Sequence, residues 1–128
     1  MNRYYIKSYM AITKTLYNKN SLKWKRTLPK SLSDFSARPL IMKLCGNVKD
    51  KSILDLGCGG GILSEELGGK GASVKAIDKS KKLINIAKKR AKEKGLNIDY
   101  ECTGIENIYK SGLKFDIIIC LEVVEHVD

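Results

Sequence analysis

The stretch Ile53-Leu54-Asp55-Leu56-Gly57-Cys58-Gly59-Gly60-Gly61-Ile62-Leu63-Ser64 runs from an apolar segment through a cluster of glycines into a second apolar segment. It reads as a β-strand, a tight loop and the start of a helix. Glycine permits the positive φ of a sharp turn and lets a ligand approach the backbone, while the first helical N–H groups point at it. A dinucleotide loop, Gly-x-Gly-x-x-Gly, needs glycine or alanine at its sixth position, and counting from Gly57 or Gly59 gives Ile62 or Ser64 instead. The pattern that fits is Asp-x-Gly-x-Gly-x-Gly at Asp55, Gly57, Gly59 and Gly61, with Cys58 inside the loop. A carboxylate at the strand end repels a pyrophosphate but accepts hydrogen bonds from an ammonium group or its ordered water.

Further along, Ser73 to Asp78 reads as a second strand, and Asp78 stands 23 residues after Asp55. A carboxylate there can take both hydroxyls of a ribose. Adenosine with a cationic amino-acid tail is the ligand these two acids imply. Ser80 caps a helix in which Leu83, Ile84, Ala87 and Ala91 share a face, and Gly95 stops it. Asn97 to Cys102 alternates apolar and polar residues as a third strand, residues 105–110 form a turn or short helix, and Phe115 to Leu121 is a near-continuous apolar fourth strand. Strands alternating with helical patterns are the signature of βαβ units and a parallel sheet. The sequence ends at Asp128, seven residues past Leu121, where a doubly wound sheet normally continues, so the expected fold is truncated after its fourth strand.

The 128 residues include 43% apolar and 30% charged side chains, which suits one small globular core and excludes a disordered or fibrous chain. No apolar run approaches the ~20 residues of a membrane span, and Lys7 and Lys14 interrupt the first apolar residues, so neither a spanning helix nor a secretory signal is expected and a cytoplasmic location follows. Cys45, Cys58, Cys102 and Cys120 lack Cys-x-x-Cys spacing and read as reduced packing residues.

The sequence resembles the class I S-adenosylmethionine-dependent methyltransferases through Leu54 to Gly61, the strand-end acid in Ala76-Ile77-Asp78, and Phe115 to Val127. The resemblance covers about residues 50–128 and implies a Rossmann-like doubly wound parallel α/β sheet there; residues 1–49 read from their own pattern as a basic helical N-terminal extension. Gly57 to Ser64 together with Glu122 to Val127 look most like ubiquinone-biosynthesis O-methyltransferases. Carried over, Asp55, Gly57, Cys58, Gly59 and Gly61 would surround the methionine part of S-adenosylmethionine and Asp78 the ribose, with Lys79 beside it. Gly104 and Ile105 would flank the adenine, in a stretch with no acid at the place where the family often has one, and Leu121 and Glu122 would lie under the sulfonium.

Glu122, Glu125 and His126 stand at i, i+3 and i+4 and share one face of a helical turn. Two carboxylates and an imidazole suit a divalent metal such as Mg²⁺, which would lower the pKa of a bound hydroxyl, a pattern that also resembles the site of small-RNA 2′-O-methyltransferases. Alternatively His126, with Glu122, serves as the base for a phenol.

The first fifty residues hold eleven basic side chains against two acids, a net +9 of the total +10. They are interleaved with Tyr4, Tyr5, Tyr9, Tyr17 and Trp24, a mixture that can track nucleic acid or sit on an anionic membrane surface. Tyr4 to Tyr17 reads as one helix face, and a second helix begins near Arg38 with Pro39 in its first turn. Three functions are consistent with these features: O-methylation of a small phenolic or quinone-precursor acceptor, methylation of RNA, or a truncated cofactor-binding fragment without catalysis of its own. In the last case the fourth strand would be an open apolar edge prone to association.

Overall fold

The apolar runs and glycine stops become nine elements among residues 4–8 and 37–121, the parts of the chain that the computed structural model describes. In order they are β1 (Tyr4–Ser8), α1 (Ala37–Cys45), β2 (Ser52–Leu56), α2 (Ile62–Gly69), β3 (Ser73–Asp78), α3 (Lys81–Glu93), β4 (Asp99–Cys102), α4 (Ile105–Ser111) and β5 (Ile117–Leu121). The strands form one sheet in the order β1-β5-β2-β3-β4, with every neighbouring pair parallel. Leu56 lies opposite Ile77 on one side and Cys120 on the other, so three strands end together.

From β2 the chain steps outward to β3 and β4, then returns past both to β5 on the far side of β2. Right-handed crossovers in opposite directions put their helices on opposite faces. The packing follows: Leu63 and Leu67 of α2 and Ile84, Ala87 and Ala91 of α3 join Ile53, Ala76 and Ile119 in the main core. Ile108 of α4 instead packs on Leu54 and Ile77 across the sheet. Ile53, Leu67, Ala87 and Ile119 are fully buried, and each large apolar side chain removed from water contributes roughly 1.5–3 kcal/mol. The reversal of direction between β2 and β5 makes a crevice at their carboxyl ends, the place where open α/β sheets hold ligands.

Local chemistry accounts for the boundaries. The Ser80 hydroxyl accepts the Leu83 N–H at 3.3 Å and caps α3, and Gly95 leaves it with a φ of 66°. Pro39 is the third residue of α1, where its missing N–H would have had no helical partner. β4 starts at Asp99 rather than Asn97, and Leu96 and Ile98 approach it packed against the core. All four cysteines are free thiols; Cys45 and Cys58 pack against the main core, whereas Cys102, expected as a packing residue, is exposed.

The N-terminal segment departs from the expected helix. Tyr4–Ser8 is a strand, running parallel to β5 with Tyr4 opposite Ile117 and Ser8 opposite Leu121. Aromatic and β-branched residues favour that pleated conformation. A strand also satisfies the row of backbone groups that β5 would otherwise leave unpaired, which a helix cannot do. The open edge expected at Phe115–Leu121 is therefore occupied, and the unpaired backbone behind the expected association is gone. The rest of the expected N-terminal helix, to Tyr17, and most of the basic residues before Arg38 lie outside the described residues.

Removing residues 1–8 should accelerate hydrogen exchange at the β5 amides that face β1, by about tenfold or more, while β2 and β3 stay protected. Unchanged protection of β5 would contradict the pairing.

Candidate functional site

The glycine loop is pinned from beneath and open above. The N–H groups of Gly57 and Cys58 both donate to the Ile77 carbonyl, at 2.8 and 3.0 Å, which locks the loop to the end of β3. Gly59 has a φ of 55°, and a Cβ on either Gly59 or Gly60 would meet nothing within 4 Å, so this side of the loop faces free space. Gly61 is different. With a φ of 87° it begins α2, and a Cβ there would collide with the Tyr100 hydroxyl and press on Ala87. Only glycine lets the loop descend onto that floor. The first helical bond of α2 is Glu65 N–H to the Gly61 carbonyl at 2.9 Å, so the amides of Ile62 to Ser64 precede the hydrogen-bond ladder.

Two carboxylates stand at the strand ends beside this loop. Asp78 is 6% exposed; its Oδ2 accepts the Gly59 N–H at 3.0 Å and its Oδ1 the Ser80 N–H at 2.8 Å. Its main-chain carbonyl accepts the Thr103 N–H at 3.1 Å, which brings in the loop after β4. Each carboxylate oxygen has two acceptor sites, so capacity remains for a pair of hydroxyls. Asp55 is 2% exposed and its Oδ2 accepts the Ser64 hydroxyl at 2.6 Å. Burial, opposed by the Ser64 hydrogen bond and reinforced by the charge of Asp78, pushes the Asp55 carboxyl up to about 6. The Cys58 thiol is also raised well above its ordinary range, by burial and then by Asp55 and Asp78, so it stays protonated and is no nucleophile.

After β4, Gly104 is buried and Ile105 is 47% exposed at the start of α4. The Glu106 carboxylate folds back over Gly104, where a Cβ would stand, and Asn107 Nδ2 donates to Thr103 Oγ1 at 2.8 Å. The Glu106 carboxylate thus lies beside Gly104. Leu121 ends β5 and packs against the main core at the crevice. Lys79 is exposed, and its carbonyl lies 3.5 Å from Cys102 Sγ.

The fold thus gathers Asp55, Gly57, Cys58, Gly59, Gly61, Asp78, Gly104, Ile105 and Leu121 around the ends of β2 to β5. Glu122, Glu125 and His126 lie outside the described residues, and among the described residues no group of three or more His, Cys, Asp or Glu side chains could hold a metal ion. Sequence reading missed Ser64 and Tyr100, which are 0% and 4% exposed beneath the loop. The alternation of β4 placed Tyr100 inward, but a serine on a short helix carries no signal of burial. It also missed the ion pairs of Glu65 with Arg90, at 2.9 Å, and of Glu66 with Arg38, at 3.0 Å. These wall a separate groove of about 470 Å³ that Pro39 and Leu96 also line.

The raised carboxyl has a thermodynamic sign. Because Asp55 is shifted upward on folding, the stability it contributes is fully present below about pH 4 and is lost as pH rises through about 6, amounting to about 3 kcal/mol by pH 7. Asp55→Asn should therefore stabilise the chain at pH 7 by about 2 kcal/mol and change it little at pH 4, as read by urea unfolding. An equal effect at both values would contradict an ionised, buried Asp55.

Comparison with known proteins agrees with this geometry. Residues 53–128 match the family described as methyltransferase domain. A ubiquinone biosynthesis O-methyltransferase from Coxiella burnetii is 50% identical over 80 residues, which are 62% of this chain and 34% of that protein. One from Pelagibacter ubique is 42% identical over 115 residues, 90% of this chain and 46% of its own length. The chain thus spans between a third and a half of the curated relatives it matches. Among solved structures, magnesium protoporphyrin IX methyltransferase from Synechocystis, with bound S-adenosylmethionine, superimposes with a TM-score of 0.68 at 21% identity, covering 94% of this chain and 67% of that one. Monomeric WbdD superimposes with a TM-score of 0.67 at 26% identity, covering 82% of this chain and 27% of that one. By sequence match and by fold, the chain belongs to the methyltransferase domain family.

Proposed function

We propose that the chain binds S-adenosylmethionine and serves O-methylation of a small phenolic or quinone-precursor acceptor in the cytoplasm. One observation carries the cofactor reading: a glycine loop open at Gly59 and Gly60 lies between two buried strand-end carboxylates, Asp55 and Asp78. A pyrophosphate would meet two negative charges there, whereas a ligand with an ammonium group and ribose hydroxyls finds acceptors for both. When bound, the cofactor supplies an activated methyl group. Asp78 takes the ribose hydroxyls, the Gly59–Gly60 backbone admits the amino-acid tail, and Asp55 stabilises its cationic end. Gly104 and Ile105 flank the base, with the Glu106 carboxylate beside them, and Leu121 closes the crevice floor.

The acceptor class rests on relatives named ubiquinone biosynthesis O-methyltransferase, at 50% and 42% identity. His126 and Glu122, just beyond β5, are the groups in this reading that take the acceptor's proton. The protein otherwise accelerates the reaction by positioning, since holding two reactants in line removes most of the entropic barrier. Among the described residues no helix is long and apolar enough to cross a membrane.

Titration of S-adenosylmethionine into the purified chain should show saturable heat, with NAD giving none. Asp78→Ala should weaken it about tenfold to a hundredfold, the worth of hydrogen bonds to a charged acceptor. No binding by a chain that unfolds cooperatively would overturn the cofactor reading.

A further inference from the structure

Beneath the loop lies a polar cluster that direct ligand contact does not explain. Ser64 is 0% exposed in a short helix, yet its hydroxyl hydrogen-bonds to Asp55 Oδ2 at 2.6 Å. The Ser64 hydroxyl takes Oδ2 and leaves the other carboxylate oxygen, Oδ1, to a different partner. The Tyr100 hydroxyl lies 3.4 Å from the Gly61 carbonyl and also hydrogen-bonds with Ser64. A buried carboxylate held by one oxygen has its second oxygen defined in direction, because the side chain can no longer rotate about χ2 without losing its donor.

We propose that Ser64 is a positioning residue: its buried hydroxyl holds Asp55 charged and aimed, leaving Oδ1 for the cationic end of the ligand, while Tyr100 supports the loop from below at Gly61. This rests on the cofactor reading above and adds the group that makes Asp55 serviceable near neutral pH. The Ser64 bond is the influence that lowers an otherwise desolvated carboxyl. Groups facing the cluster are Cys58 in the loop, Asp78 at the end of β3, and Tyr100 on β4, which also feels Glu65 of α2. Glu65 is itself paired with Arg90 of α3 and with Lys94 just past its end, and β5 presents only Ile119 opposite Asp55. Cys58 and Tyr100 are both raised and remain neutral through the range of interest.

The test uses the full chain and Ser64→Ala, a replacement that suits a helix interior. Carbon-13 NMR of the Asp55 carboxyl, without ligand, should give a titration midpoint in the variant that lies higher by about one pH unit. Calorimetry should then show S-adenosylmethionine binding about tenfold weaker than in the parent at about pH 5, below both midpoints, where such a rise leaves about a tenth as much carboxylate ionised. At about pH 8.5 both carboxyls are ionised, and the two chains should bind nearly equally. Tyr100→Phe should weaken binding to a similar extent at both pH values, because Tyr100 supports the loop and its phenol stays neutral at both. An unchanged carboxyl midpoint in Ser64→Ala would overturn the proposal, and so would a loss of binding that is uniform across pH. If the parent binds no S-adenosylmethionine at any pH, the cofactor reading fails, and the carboxyl titration still decides whether Ser64 controls Asp55.

Discussion

The Asp78 carboxylate is the knot that ties the crevice together. One of its oxygens holds Gly59 of the glycine loop and the other holds Ser80 at the start of α3, while its carbonyl holds Thr103 after β4. Three segments that are distant in sequence are thereby fixed to the end of one strand. Hydrogen bonds to an ionised acceptor are among the stronger ones a protein makes, and this set replaces side-chain packing at a place where packing would fill the site. The parallel sheet makes the knot possible, because its register ends β2, β3 and β5 at one level.

Around that knot the chain accepts local cost. Asp55 is buried beside a second carboxylate and ionises only against desolvation, an arrangement that opposes folding at neutral pH. Gly61 has a left-handed φ and lies directly against Tyr100, which leaves no room for a side chain at that position. Elsewhere the structure follows ordinary rules: apolar faces inward, a serine cap, and glycines where helices stop. Departures from those rules concentrate at binding sites, and here they coincide with the crevice at the switch point.

Much of this was legible in the sequence because its signals are periodic or positional. The strand, loop and helix at Ile53–Ser64, the cap at Ser80 and the acid at Asp78 each follow from residue type and spacing, and each is found in place. What was not legible depends on tertiary geometry. Tyr4–Ser8 has a composition that fits either a helix face or a strand, and the vacant side of β5 decides between them. Ser64 and Tyr100 are ordinary residues until the fold buries them under the loop, and the Glu106 carboxylate reaches Gly104 only because α4 turns back.

The most direct measurement is an amide chemical-shift map of the isotopically labelled chain with and without S-adenosylmethionine. The account predicts perturbations at residues 57–61, at 78–80 and at 103–105, the three segments joined through Asp78. Perturbations confined to the groove walled by Arg38, Glu66 and Lys94, with the glycine loop unmoved, would contradict it.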